Sequence, residues 1–200
     1  VSVMMGEATL GQMMEPVTLP DFVEAERTPW ALNGHYTYKK IGIFQRDSMK
    51  EAVELVDKYN TIRENEQRWE DEGLEDADYV FVSYGVPGRS TLGAVRELRA
   101  QGEKVGIIRP ITVWPFPEKA FYKIQNPFVI KTLSNVKGII TVEANATGQL
   151  VDDAALYTKK ALKERNVPAY ALTYVFGTPT IRNIKKDYFE VKSGSKKEVY

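Results

Sequence analysis

Four groups of side chains carry the chemistry that this sequence can offer. Gly85-Val86-Pro87-Gly88-Arg89-Ser90 follows an apolar run and precedes a helical one, a position where unpaired backbone N–H groups and the helix dipole hold an anion. The spacing is neither Gly-x-Gly-x-x-Gly nor a Walker loop, and no Lys stands at the phosphate-binding offset. The glycines therefore suit a plain strand-to-helix turn as well as an anion site at Arg89 and Ser90. Ser90, in Gly88-Arg89-Ser90-Thr91-Leu92-Gly93, has one residue too many before the second glycine for a nucleophile elbow. His35, the one histidine, precedes it in the chain, against the Ser, acid, His order of such hydrolases.

Arg109-Pro110 closes a second apolar run, at the strand end where open α/β sheets place ligands or partners. The restricted backbone before proline projects the guanidinium from a stiff base, and it serves either a structural ion pair or a contact with a ligand or interface. Trp114-Pro115-Phe116-Pro117 is stiffened by its two prolines. Trp114 and Phe116 are then core plugs or interface anchors. Glu143, Asn145 and Gln149 gather after a third apolar run. Asn145 or Thr147 caps the helix that starts near Gly148, or the group forms a polar seam against another domain.

The composition narrows these choices. There are 27 basic and 27 acidic residues, so no global field attracts nucleic acid or anionic lipid, and neither is expected as a partner. Zero cysteines exclude a disulfide scaffold, a thiolate zinc site, a Cys nucleophile and an all-Cys iron–sulfur cluster within this chain. No run of 18 apolar residues and no secretory leader pattern occurs, so no membrane association is expected and the cytoplasm is the default compartment. At 200 residues the chain can hide roughly 70 % of its surface without staples.

The elements that must position these groups alternate. Tyr79–Tyr84, Lys104–Ile108, Gly138–Val142 and Ala169–Val175 read as strands, and Arg89–Gln101, Glu118–Ile124 and Gln149–Arg165 as helices. Strands separated by helices predict a three-layer α/β fold, a mostly parallel sheet with helices on both faces. Before it, Ser48 with Glu51 forms a capping-box signature, and Met49, Val53, Val56 and Ile62 recur at helical spacing. Glu64–Asp78 holds eight carboxylates and one Arg, which reads as a solvated stretch. Residues 181–200 hold mostly basic charge and little apolar period, which reads as a surface arm. Residues 21–48, with Pro29, Asn33-Gly34 and scattered aromatics, read as a linker. The chain opens on an apolar run, Val1–Met5, followed by a brief helix. Residues 1–20 are therefore expected to be a strand and helix belonging to a preceding domain, with a bare strand edge and Met-rich face that favour self-association.

Three blocks now carry a resemblance. They are Glu75-Asp76-Ala77-Asp78 with Tyr79-Val80-Phe81-Val82-Ser83-Tyr84-Gly85, then Lys104 to Ile108 running into Arg109-Pro110-Ile111-Thr112-Val113-Trp114-Pro115-Phe116-Pro117, then Val136 to Glu143 with Gly148-Gln149. The sequence resembles the carboxy-terminal, transketolase-C-like domain of the thiamine-diphosphate-dependent 2-oxoacid:ferredoxin oxidoreductases. Met4 to Val17 looks like the end of the preceding pyrimidine-type domain, most similar to the branched-chain, 3-methyl-2-oxobutanoate members. Ala144 departs from the family's Glu-Met-Asn triplet, and Gly88 stands where Ala is common. The resemblance implies a parent enzyme that decarboxylates a 2-oxoacid oxidatively, reduces ferredoxin and forms an acyl-coenzyme A. It implies thiamine diphosphate, Mg²⁺, iron–sulfur clusters and coenzyme A in that parent, none bound by this chain. It also implies 49–180 as an assembly domain, inactive by itself, whose partners are the parent's other subunits or domains and, indirectly, ferredoxin. The alternative is a freestanding α/β module that binds a small ligand or nucleotide at Gly85–Ser90.

Overall fold

The computed structural model describes residues 48–122, 136–162 and 166–200, together with Thr18. The expected strand and helix of residues 1–20 and most of the expected linker therefore lie outside the described residues. Two compact units are present, Met14–Thr61 and Val1–Met13 with Ile62–Tyr200. Helix α1, Ser48–Asn65, begins in the first, where Met49, Val53, Val56 and Tyr59 are exposed along it.

In the larger unit, β1 (Trp69–Glu72) and β2 (Tyr79–Val82) lead into α2 (Gly85–Ala100), β3 (Val105–Pro110) and α3 (Glu118–Tyr122). Then come β4 (Gly138–Glu143), α4 (Leu150–Ala161), β5 (Ala169–Thr173) and α5 (Ile181–Lys192). Among the described residues one five-stranded sheet has the order β1-β3-β2-β4-β5. The pairs β2·β3, β2·β4 and β4·β5 are parallel, and β1 runs antiparallel against β3. The sheet is thus mostly parallel, as expected.

Side chains on a strand alternate between faces, and the core divides accordingly. Val80, Val82, Ile108 and Ile139 pack with Ala120 and Phe121 of α3 and Leu150, Ala154 and Ala161 of α4. Phe81, Ile107, Ile140, Val142 and Leu172 pack with Ala94, Val95 and Leu98 of α2 and Ile184, Tyr188 and Val191 of α5. Helices cover both faces, so the middle strands read as continuous apolar runs, and all six residues of β4 are buried.

Two segments differ from the sequence reading. The acidic stretch holds β1, whose Trp69-Glu70-Asp71-Glu72 pairs with Pro110-Arg109-Ile108-Ile107. An edge strand needs only intermittent burial, so its carboxylates turn outward or meet cations: Arg96 of α2 grips Glu72 with bonds of 2.7 and 2.9 Å, which draws the Glu72 carboxyl below its ordinary value. The expected arm contains α5. Thr180 caps it by accepting a hydrogen bond from the Asn183 N–H, and Ile184, Tyr188 and Val191 are buried against α2. These three residues recur at helical spacing in a helix with four basic side chains, so a narrow apolar stripe was hidden by charge. The Tyr188 hydroxyl donates to Glu103 Oε2 at 2.7 Å, and Lys192 Nζ donates to the same carboxylate at 2.6 Å. After α5 the chain returns to the sheet, where Ala169 and the backbone of Val199 and Tyr200 exchange hydrogen bonds.

Candidate functional site

Strands β2 to β5 end along one edge of the sheet. From β2 the chain leaves into α2 on one face, and from β4 it leaves into α4 on the other. The gap between their carboxyl ends is therefore a topological switch point, where open α/β sheets form a crevice. Here the crevice is ≈ 310 Å³, lined by Tyr84, Gly85, Val86 and Pro87 after β2 and by Val142, Glu143, Ala144 and Asn145 at the end of β4. The two strand ends are tied together by the buried Ser83 hydroxyl, which donates to the Val142 carbonyl at 2.7 Å.

Glu143 organises one wall. It is 3 % exposed, and its Oε2 accepts from the backbone N–H of Gln149 and of Leu150, each at 3.0 Å. Asn145 holds it there, donating from Nδ2 to the same oxygen at 2.8 Å, while Asn145 Oδ1 accepts from the N–H of Thr147 and Gly148. The cap of α4 is thus the Glu143 carboxylate reaching back from the strand end. Neither Asn145 nor Thr147 caps the helix directly, because Asn145 spends its amide on the intervening turn. A carboxylate against a helix N-terminus is favourable in both hydrogen bonding and dipole. Its second oxygen, Oε1, is buried with no hydrogen-bond partner.

The sequence-predicted residues separate into distinct places. Gly85, Glu143 and Asn145 meet at the crevice, with Gln149 attached through its backbone. The helix begins at Gly85, four residues earlier than expected, so Gly88, Arg89 and Ser90 lie within α2. Gly88 sits against the chain, since a Cβ there would lie 3.2 Å from the Ser83 carbonyl oxygen and 3.4 Å from Arg109 Nε. Ser90 is 1 % exposed and faces the interior, while Arg89 is half-buried. Arg109 pairs with Glu70, its register partner on β1, at 2.5 Å, which is the structural ion-pair reading. Phe116 is a core plug, stacked on Tyr157 with centroids 4.9 Å apart.

Trp114 has the opposite fate and is 56 % exposed. It shares the carboxyl edge of the sheet with exposed Ile111 and Val113 after β3, exposed Val175 and Phe176 after β5, and Tyr84 after β2. Phe176 is 97 % exposed. The sequence reading missed Val175 and Phe176; their signal was an apolar pair directly before Gly177-Thr178-Pro179, where a turn must hold them at the surface.

Fold and edge together define a three-layer α/β domain that presents a crevice and an apolar rim at the carboxyl end of its sheet. The family model for the pyruvate:ferredoxin oxidoreductase core domain II matches residues 77–182, just over half of the chain, and the chain belongs to that family. It is 40 % identical over 124 residues to the ketoisovalerate oxidoreductase subunit VorB of Methanothermobacter marburgensis, covering 58 % of this chain and 35 % of the relative. It is 40 % identical over 105 residues to the 2-oxoglutarate synthase subunit KorA of Methanocaldococcus jannaschii, covering 51 % and 25 %. The chain thus spans about a third or less of the length of these relatives. Among solved structures, 2-oxoglutarate:ferredoxin oxidoreductase from Magnetococcus marinus superposes with a TM-score of 0.53 over 73 % of this chain and 24 % of that one, at 20 % identity, which supports the fold.

Two of the groups implied by the resemblance, an iron–sulfur cluster and a diphosphate held at the crevice, do not suit the residues present. The chain has no cysteine to ligate an iron–sulfur cluster. At the crevice the α4 N-terminus already holds the carboxylate of Glu143, which repels a diphosphate.

Proposed function

We propose that this chain serves as the assembly domain of a thiamine-diphosphate-dependent 2-oxoacid:ferredoxin oxidoreductase acting on a branched-chain 2-oxoacid. The whole enzyme converts the oxoacid to an acyl-coenzyme A with reduction of ferredoxin, and this domain supports subunit contacts around the chemistry of other segments. The observation that carries the reading is the apolar rim at the carboxyl edge, Ile111, Val113, Trp114, Val175 and Phe176, on a domain of this family. Apolar side chains gathered at one edge are the material of a protein interface. The match to the ketoisovalerate oxidoreductase subunit, longer than that to the 2-oxoglutarate one, favours the branched-chain substrate.

The test is to isolate the tagged chain with its native partners and assay coenzyme A-dependent ferredoxin reduction with 3-methyl-2-oxobutanoate and with 2-oxoglutarate. Activity should co-purify and prefer the branched substrate. The double substitution Trp114→Glu and Phe176→Glu should release the partners while leaving the circular dichroism of the chain unchanged. An inactive complex, a preference for 2-oxoglutarate, or a complex that survives both charges would overturn the corresponding part of the reading. Calorimetry on the chain alone should show no binding of thiamine diphosphate.

A further inference from the structure

We propose that the crevice between the ends of β2 and β4 is a binding site for a small aliphatic α-amino acid. The first observation is Glu143 Oε1. A buried carboxylate oxygen without a partner is costly, and Glu143 lines the crevice. Its other oxygen is saturated by Asn145, Gln149 and Leu150, so only Oε1 remains to accept. A group that donates to it, above all an ammonium, makes a charge-assisted bond in a setting of low dielectric.

The second observation lies across the crevice. Helix α2 begins there at Gly85 and Val86, and Tyr84 supplies no side-chain cap. The first N–H groups of a helix and its positive dipole end favour a carboxylate. One wall therefore offers an acceptor and the other offers donors, a pattern that selects a zwitterion. Between them, Val86, Pro87, Val142 and Ala144 give an apolar lining suited to a short aliphatic side chain. A volume of ≈ 310 Å³ stands at the small end of ligand pockets. A phosphate group is disfavoured, because Glu143 brings negative charge to the same wall and the neighbouring Ser83, Ser90 and Thr141 are buried. The site is independent of the assembly reading: it needs the strand ends and helix starts, not the rim.

The experiment titrates the full 200-residue chain with L-valine, followed by amide NMR. Two control probes share the carbon skeleton: 3-methyl-2-oxobutanoate lacks the ammonium, and isobutylamine lacks the carboxylate. L-valine should give saturable shifts at Gly85, Val86, Glu143 and Asn145, with both controls at least about tenfold weaker. Ala144→Met, at an exposed position lining the crevice, should extend a flexible side chain into it and weaken valine binding about tenfold or more, with an unchanged thermal melt. Equal binding of the oxoacid would remove the role of Glu143, and equal binding of the amine would remove the role of the α2 terminus. Absence of saturable shifts, or shifts that persist undiminished in Ala144→Met, would overturn the site itself.

Discussion

Truncating Tyr188 tests whether residues 181–200 are part of the core. Its ring, 1 % exposed, packs edge-on against Tyr79 at 5.7 Å between centroids and tilted against Phe81 at 6.0 Å. Its hydroxyl donates to Glu103 at 2.7 Å. Tyr188→Ala removes a whole aromatic side chain from a close-packed site and should cost about 3–5 kcal/mol. Tyr188→Phe keeps the ring and loses one hydrogen bond to a charged acceptor, but Glu103 keeps Lys192 as a partner, so it should cost about 1–2 kcal/mol. Urea unfolding followed by circular dichroism measures both, and the thermal midpoint should drop by about 2–4 °C for each kcal/mol in a chain of this size. The two variants also differ in pH response. Burial first, and then the bond to Glu103, push the Tyr188 hydroxyl well above its ordinary value. A group raised on folding contributes stability that is complete below the unfolded value, about pH 10, and lost as the pH rises beyond it. The Phe variant should therefore show a shallower loss of stability above pH 10, though still some, because Tyr174 is raised in the same way by burial and by its bond to Asp187. A cost below about 1 kcal/mol for Tyr188→Ala would mean that this segment is a solvated arm after all.

Three other outcomes are expected. Glu143→Ala removes the acceptor for two α4 N–H groups and for Asn145, and should destabilise by about 2–3 kcal/mol in urea unfolding; a neutral result would refute the capping role. Gly106→Ala should cost about 1–3 kcal/mol, since its Cβ would fall 2.6 Å from the Gly73 carbonyl oxygen, and a thermal midpoint equal to the parent's would count against that close approach. Lys192 and then Tyr188 hold the Glu103 carboxyl below its ordinary value, so the stability it contributes is present above about pH 4.5 and is lost as the pH falls through the lowered value. Lys192→Met should accordingly be less stable at pH 7, and its deficit should shrink towards pH 3; a deficit constant with pH would sink this account.

Much of the sheet was legible because β2, β3 and β4 are buried on both faces, and such strands announce themselves as unbroken apolar runs bounded by glycine or turn residues. β1 was not, because Trp69-Glu70-Asp71-Glu72 meets the sheet through one edge and needs little apolar content. Helix α5 was obscured because its stripe is three residues wide among lysines that snorkel or form ion pairs, such as Lys185 with Glu97 at 2.8 Å. At the candidate site, the grouping of Glu143, Asn145 and Gln149 could be read from their spacing, but not which of them caps α4. That depends on the angle at which the chain leaves β4, set by long-range packing. The proximity of Gly85 to Glu143 is likewise a product of strand order, since β2 and β4 are neighbours in the sheet and nearly 60 residues apart in sequence.

The two flanks of the sheet bear on how this domain can meet other proteins. On one side β1 presents a row of carboxylates, and on the other the backbone of Val199 and Tyr200 screens the start of β5. Charged and ion-paired side chains on β1 and a screened opposite margin both discourage a foreign strand from joining the ladder. Growth by β-augmentation at the described edges is thereby impeded, which leaves side-chain packing across the strand ends as the contact this domain can offer.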